Sequence, residues 1–253
     1  QFGRFVSGIL KGDFGTSYVY KTPVLDLIFQ RVPATAEIVL FTAILTLVIA
    51  IPLGVIAGAN PQTKLSKGIM AGSIFGISFW MGMMLIYVFS VSLQILPASG
   101  RAAAGPGGFS FLTPGGWKNL IMPVLTLALG YSATILRVTR AGIQENMKQD
   151  YVKFARAKGV SRRNVLFHHA LKNALVPVVT VFGLNIGHMF AFTTVTETIF
   201  AWPGVGKLLI DSILRNDRPI IVAYLILVSA MFVVINFVVD IIYMLVDPRI
   251  ELR

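Results

Sequence analysis

The chain has no cysteine among its 253 residues. Thiol catalysis, cysteine-ligated zinc and disulfide cross-links are therefore excluded. Charge is also scarce. Only 13% of residues are Asp, Glu, Lys or Arg, where a soluble domain carries about 25%. With half of that charge missing, the chain cannot surround one water-facing core in the ordinary way. Histidine occurs three times. His168 and His169 are neighbours, so they leave a helix in different directions and do not share a metal. No other residue pattern asks for a metal or a cofactor.

What remains is apolar. Hydrophobic residues make up 55% of the chain and the mean hydropathy is +0.76. The 22 Lys and Arg residues all fall between long apolar runs, none inside them. That segregation is expected of membrane spans joined by wet loops. The net charge of +11 fits topology-setting loops beside anionic lipid, not a nucleic-acid surface.

A spanning helix needs about 20 mostly apolar residues. Five segments qualify: 34–59, 68–96, 120–136, 174–196 and 219–246. Five spans place the two ends on opposite sides. The segment 137–172 holds nine Lys and Arg, and placing it in the cytoplasm puts 13 of the 22 on that side. Residues 1–33 are then an external lead segment, and residues 247–253 a cytoplasmic tail. The region 34–246 is one transmembrane domain with a long cytoplasmic loop at 139–173. Breakers fill the loop at 97–119, and residues 198–218 read as a second external loop. The start of the chain shows no signal-peptide pattern and no Met, as a fragment or trimmed chain would.

Small residues recur every fourth position at Gly68, Gly72 and Gly76, and at Gly183 and Gly187, where helices can approach closely. Subunit contact and packing within one chain both use this spacing. Two intramembrane polar residues stand out. Asp240 lies in the fifth span and needs a partner, for which Arg137 is a candidate. His188 lies in the fourth span, where a hydrogen-bonded structural role outweighs a pore role. The run Gly204-Val205-Gly206-Lys207-Leu208 fails as a phosphate loop. Ala201 stands where the first glycine belongs, and Leu208 where Ser or Thr belongs. Nucleotide binding by this chain is excluded on that evidence.

The long loop carries a pattern of its own. Asp150 is placed to cap a short helix beginning near Tyr151. Tyr151, Phe154, Ala155 and Lys158 share one face of it. Gly159 follows where a glycine stops a helix, and Ser161 can cap a second helix that runs into the fourth span. Pro177 sits near the start of that span and would loosen it. Such a helix–glycine–helix unit suits a docking surface held against the membrane.

The stretches Asp150-Tyr151-Val152-Lys153-Phe154-Ala155-Arg156-Ala157-Lys158-Gly159 and His169-Ala170-Leu171-Lys172-Asn173-Ala174-Leu175-Val176-Pro177 resemble the EAA loop of ABC importer permeases. Phe154-Ala155-Arg156-Ala157 stands where the general form has Glu-Ala-Ala, as in the dipeptide/oligopeptide/nickel branch. Gly12-Asp13-Phe14-Gly15-Thr16-Ser17, Arg31-Val32-Pro33-Ala34-Thr35, Leu96-Pro97-Ala98-Ser99-Gly100, Glu197 to Leu208, Arg215-Asn216-Asp217-Arg218-Pro219 and Asp247-Pro248-Arg249 are similar to the same branch. The resemblance implies an all-α type I importer transmembrane domain in a bacterial inner membrane. It implies a family first span ahead of the five visible here, with residues 1–33 following it. It further implies a transport subunit and not an enzyme. A second homologous permease subunit, two cytoplasmic ATP-binding subunits and an extracytoplasmic solute-binding protein would be its partners. Asp150, Tyr151, Phe154, Ala155, Ala157 and Gly159 would then form the ATPase-coupling site. A peptide or a nickel chelate would be the cargo. The rival class is a secondary transporter or channel, which needs no ATPase.

Overall fold

The computed structural model describes residues 12–73, 79–102 and 108–246. Among these the chain is almost wholly helical. Helix α1 is Val24–Ala59, α2 is Lys64–Gly72, and α3 is Phe79–Leu85 with a π-helical continuation over Ile86–Ser92. Helix α4 is Gly116–Asn146 and α5 is Asp150–Ala157. The short α6, Arg162–Asn164, runs through a π-helical Val165–Ala170 into α7, Leu171–Ile199. Helices α8, Val205–Leu214, and α9, Arg218–Val246, complete the order. Among the described residues, four stretches are long and apolar enough to cross a membrane: Val24–Ala59, Gly116–Asn146, Arg162–Ile199 and Arg218–Val239. A shorter apolar helix spans Trp80–Ser92.

The sequence expectation of spans holds, with three differences. First, α1 begins ten residues before 34 and runs for 36 residues, about 54 Å at 1.5 Å per residue. Its first turns carry Asp26 and Arg31, so no hydropathy signal marks them. They are helical because Val24, Leu27 and Ile28 pack against Val205, Leu208 and Ile220. Second, the expected span 68–96 is two described helices, α2 and α3, with residues 74–78 outside the described set. Third, residues 198–218 are not a plain loop, since Val205–Leu214 is helix with Val205, Gly206, Leu208 and Ser212 buried. The Pro203-Gly204 breakers mark only its start.

The chain divides into two compact units. One comprises Gln1–Phe41, Phe79–Thr126 and His188–Val233. Three buried carboxylates tie its loops down. Glu37 accepts hydrogen bonds from Arg101 (2.8 Å) and from the Ser110 hydroxyl (2.6 Å) and backbone N–H. Asp217 accepts from the Ser17 hydroxyl and from the N–H groups of Tyr18 (3.1 Å) and Val19 (3.2 Å). Glu197 accepts from Thr35 (2.6 Å) and from the Lys207 N–H (2.8 Å) in the first turn of α8. A carboxylate there satisfies a donor that the helix itself leaves unpaired. Trp202, fully buried, donates its indole N–H to the Ala34 carbonyl at 2.8 Å.

The other unit comprises Thr42–Ser78, Leu127–Gly187 and Val234–Arg253. Glycines allow its helices to meet. A Cβ on Gly54 would lie 2.6 Å from the Thr139 Cβ, and one on Gly58 would lie 2.8 Å from the Ile143 Cβ. A Cβ on Gly183 would lie 2.3 Å from a Val239 methyl. Gly183 therefore serves packing within the chain. Among the described residues nothing lies within 4 Å of a Cβ placed on Gly68 or Gly72. Gly76 lies outside the described residues.

Candidate functional site

Between α4 and α7 lies the segment with the strongest pattern in the sequence. Helix α4 runs to Asn146, so the span reaches well past Arg137 and only residues 147–149 separate it from α5. Val152 and Ala155 are the buried residues of α5, and they pack on Val165, Met147 and Val160. The opposite face is open. Tyr151 is 38% and Phe154 62% exposed, and Ala157 and Gly159 are exposed as well. The Lys158 ammonium lies 4.5 Å from the Phe154 ring centroid, a cation–π arrangement. The result is an aromatic surface with a basic rim, mounted on a small apolar base.

Gly159 ends the helix with φ of +80°. Left-handed backbone of this kind costs a residue with a Cβ about 1–2 kcal/mol. Ser161 caps the next helix, its hydroxyl accepting from the Asn164 N–H at 3.4 Å. The helix–glycine–helix reading is what the fold contains.

Two expected details are corrected. Asp150 is not the N-cap; Gln149 occupies that position and makes no side-chain cap bond. The Asp150 carboxylate instead accepts from Lys153 at 2.7 Å. That hydrogen bond, and then the Lys153 charge, hold the Asp150 carboxyl below its ordinary pKa. Placed in the first turn, the carboxylate still favours the helix dipole. Ala155 does not share the exposed face of Tyr151 and Phe154. It is buried against Val165, because a position four residues beyond Tyr151 but three beyond Val152 falls on the edge of the stripe that Val152 leads.

His188 is exposed on the chain, its ring 6.0 Å from that of Phe232. The structural hydrogen bond expected of it is not found among the described residues. The Asp240 side chain lies outside the described residues, so its pairing with Arg137 carries no geometry. Among the described residues no cluster of His, Asp and Glu is suited to a metal ion.

Sequence reasoning missed several polar contacts of the loop. Tyr151 donates its hydroxyl to Asn146 Oδ1 at 2.7 Å and accepts from Asn173 Nδ2 at 3.0 Å. Arg162 donates to the Ala59 carbonyl at 3.1 Å and to Asn60 Oδ1 at 2.5 Å. Asparagines at helix ends were the available signal, but their partners lie up to 102 residues away in the chain.

A family model described as binding-protein-dependent transport system inner membrane component matches residues 50–252. The oligopeptide transport system permease protein AppB of Bacillus subtilis (strain 168) is 41% identical over 99% of this chain and 80% of its own length. The dipeptide transport system permease protein DppB of Escherichia coli (strain K12) is 35% identical over 99% of this chain and 80% of its own. The glutathione transport system permease protein GsiC of the same strain is 36% identical over 100% and 79%. Among solved structures, inward-facing conformations of the MetNI methionine ABC transporter match with a TM-score of 0.70 at 17% identity. That match covers 87% of this chain and 96% of the other. An amino acid ABC transporter with histidines matches at 0.60 and 12% identity. At such identities the likeness is one of fold, and the fold is that of a type I ABC importer transmembrane domain.

Proposed function

This chain belongs to the family of binding-protein-dependent transport system inner membrane components, and from that premise we propose that it forms part of the path for short peptides in an ATP-driven importer. Permease of an ABC importer is the family's role. The peptide cargo is the further step, and it rests on whole-length similarity to oligopeptide and dipeptide permeases.

The observation that carries the mechanism is the exposed face of α5. Tyr151 and Phe154 present aromatic area on a helix whose other face is seated on Val165 and Met147. In this reading a cytoplasmic ATP-binding subunit grips Tyr151, Phe154 and Ala157, with Asp150 at the rim and Gly159 setting the turn. Ala155 belongs to the seat beneath. The chain pairs with a second, homologous permease subunit, and the open Gly68–Gly72 side of α2 is a surface suited to such contact. A solute-binding protein delivers cargo from outside, where residues 1–33 and 97–119 lie. The C-terminus is cytoplasmic. ATP binding draws the two ATPases together, the loops follow, and the path opens to the other side.

The test is uptake of a labelled tripeptide into vesicles holding this chain, its partner permease, the ATPases and the binding protein. Uptake is expected only with ATP and binding protein. Accumulation driven by an ion gradient without ATP would point to the secondary-transporter class instead.

A further inference from the structure

The apolar seat of α5 is small. Val152, Ala155 and Val165 form it, with Met147 and Val160 at the edge. Apolar contact is non-directional, so a seat of this size resists separation better than it resists sliding. A loop that must move helices needs contacts that resist sliding too. Hydrogen bonds with fixed donors and acceptors supply that.

Two such contacts exist, and they reach three helices. In the first, Asn173 Nδ2 donates to Tyr151 Oη at 3.0 Å, and Tyr151 Oη donates to Asn146 Oδ1 at 2.7 Å. The Asn146 amide is itself oriented, since its Nδ2 donates to the Gly142 carbonyl at 2.8 Å. Asn146 is the last residue of α4, and Asn173 lies in the first turn of α7. The relay sits beside the tight crossing of those helices, where a Cβ on Gly142 would lie 3.0 Å from the Ala174 Cβ. In the second contact, Arg162 donates to the carbonyl of Ala59, the last residue of α1, and to Asn60 beyond it. The last carbonyls of a helix lack partners within it, and a cation there also meets the negative end of the helix dipole.

We propose that Arg162 and the Asn146–Tyr151–Asn173 relay are positioning groups that lock the loop to the ends of α1, α4 and α7, so that a displacement of the loop moves all three together. This rests on the reading that ATP-binding subunits act on the loop. It goes beyond that reading in giving a role to Asn146, Asn173 and Arg162, which that reading leaves unused, and a second role to the Tyr151 hydroxyl. A helix cap alone would stabilise its own helix end; a lock also fixes how far α7 follows the loop.

The test uses the complete complex and the absence of native cysteine. A single cysteine replaces Val195, an exposed residue near the far end of α7, and its maleimide labelling rate is compared with and without ATP plus vanadate. Arg162→Gln and Asn173→Ala are each expected to shrink the ATP-dependent change in rate by about threefold or more, the scale of one lost hydrogen bond. The ATPase subunits should still copurify. Arg162→Lys should recover part of the change, since a cation again meets the Ala59 carbonyl. A full ATP response in both Arg162→Gln and Asn173→Ala would overturn the proposal, as would loss of the ATPase subunits from either. If the parent shows no ATP response or retains no ATPase subunit, the docking reading itself fails, and that result is distinct from either variant outcome.

Discussion

Gly204→Ala is expected to destabilise the chain severely, through Glu197. A Cβ at position 204 would lie 2.2 Å from Glu197 Oε1, 2.3 Å from Cδ and 2.5 Å from Oε2. Each is far inside contact distance, so the carboxylate must leave. It would abandon the Thr35 hydroxyl at 2.6 Å and the Lys207 N–H at 2.8 Å, in a side chain that is fully buried. Leaving a buried hydrogen-bonding group without its partner costs about 1–3 kcal/mol. Two such losses amount to roughly 2–6 kcal/mol, against a total stability of about 5–15 kcal/mol. For a chain of this size that is a fall in Tm of about 4 °C or more. The assay is the fraction of purified protein that remains monodisperse in detergent after graded heating. Adding Glu197→Ala to Gly204→Ala removes the clash, so the double variant should be no less stable than Glu197→Ala alone. A Gly204→Ala protein within 1 °C or so of the parent, or strictly additive losses in the double variant, would refute the reasoning.

Three further outcomes are expected. Gly159→Val places a β-branched residue at φ of +80° with open space around it, so the cost is backbone strain of about 1–2 kcal/mol; insertion should survive while peptide uptake falls, and unchanged uptake would count against the turn's role. A cysteine at Ser161 should react only with reagents that enter the cytoplasm, and one at Ser99 only from outside; the reverse labelling would invert the topology. The Asp150–Lys153 pair should persist at mildly acidic pH, because the Asp150 pKa is lowered in the folded chain: its contribution is complete above the ordinary aspartate pKa and fades as pH falls through the lowered one. An NMR titration of a selectively labelled Asp150 carboxyl that found an ordinary or raised pKa would contradict this.

Spans were legible because hydropathy and charge segregate along the chain, and the loop was legible because Gly159 and Ser161 are local signals. Helix α8 was not. Its first turn is held by Glu197, whose role depends on the fold bringing Thr35 and Lys207 to one carboxylate. The first turns of α1 were hidden for a related reason: Asp26 and Arg31 mask a buried stripe of Val24 and Ile28 that only exists against Val205 and Ile220. Ala155 was misplaced because an eight-residue helix offers just two turns from which to fix a face. Buried carboxylates such as Glu37 and Asp217 were visible as residues, but their partners, Ser110 and Ser17, lie 73 and 200 positions away.

The central claim is that α5 is where ATP hydrolysis enters the permease. A single cysteine at Phe154, carrying a short photoactivatable cross-linker, tests it in the assembled complex. The expected result is a covalent adduct with an ATP-binding subunit whose yield changes when ATP and vanadate are added. An assembled, ATP-hydrolysing complex that gives no adduct from position 154, while a position on the Gly68–Gly72 side of α2 does, would contradict it.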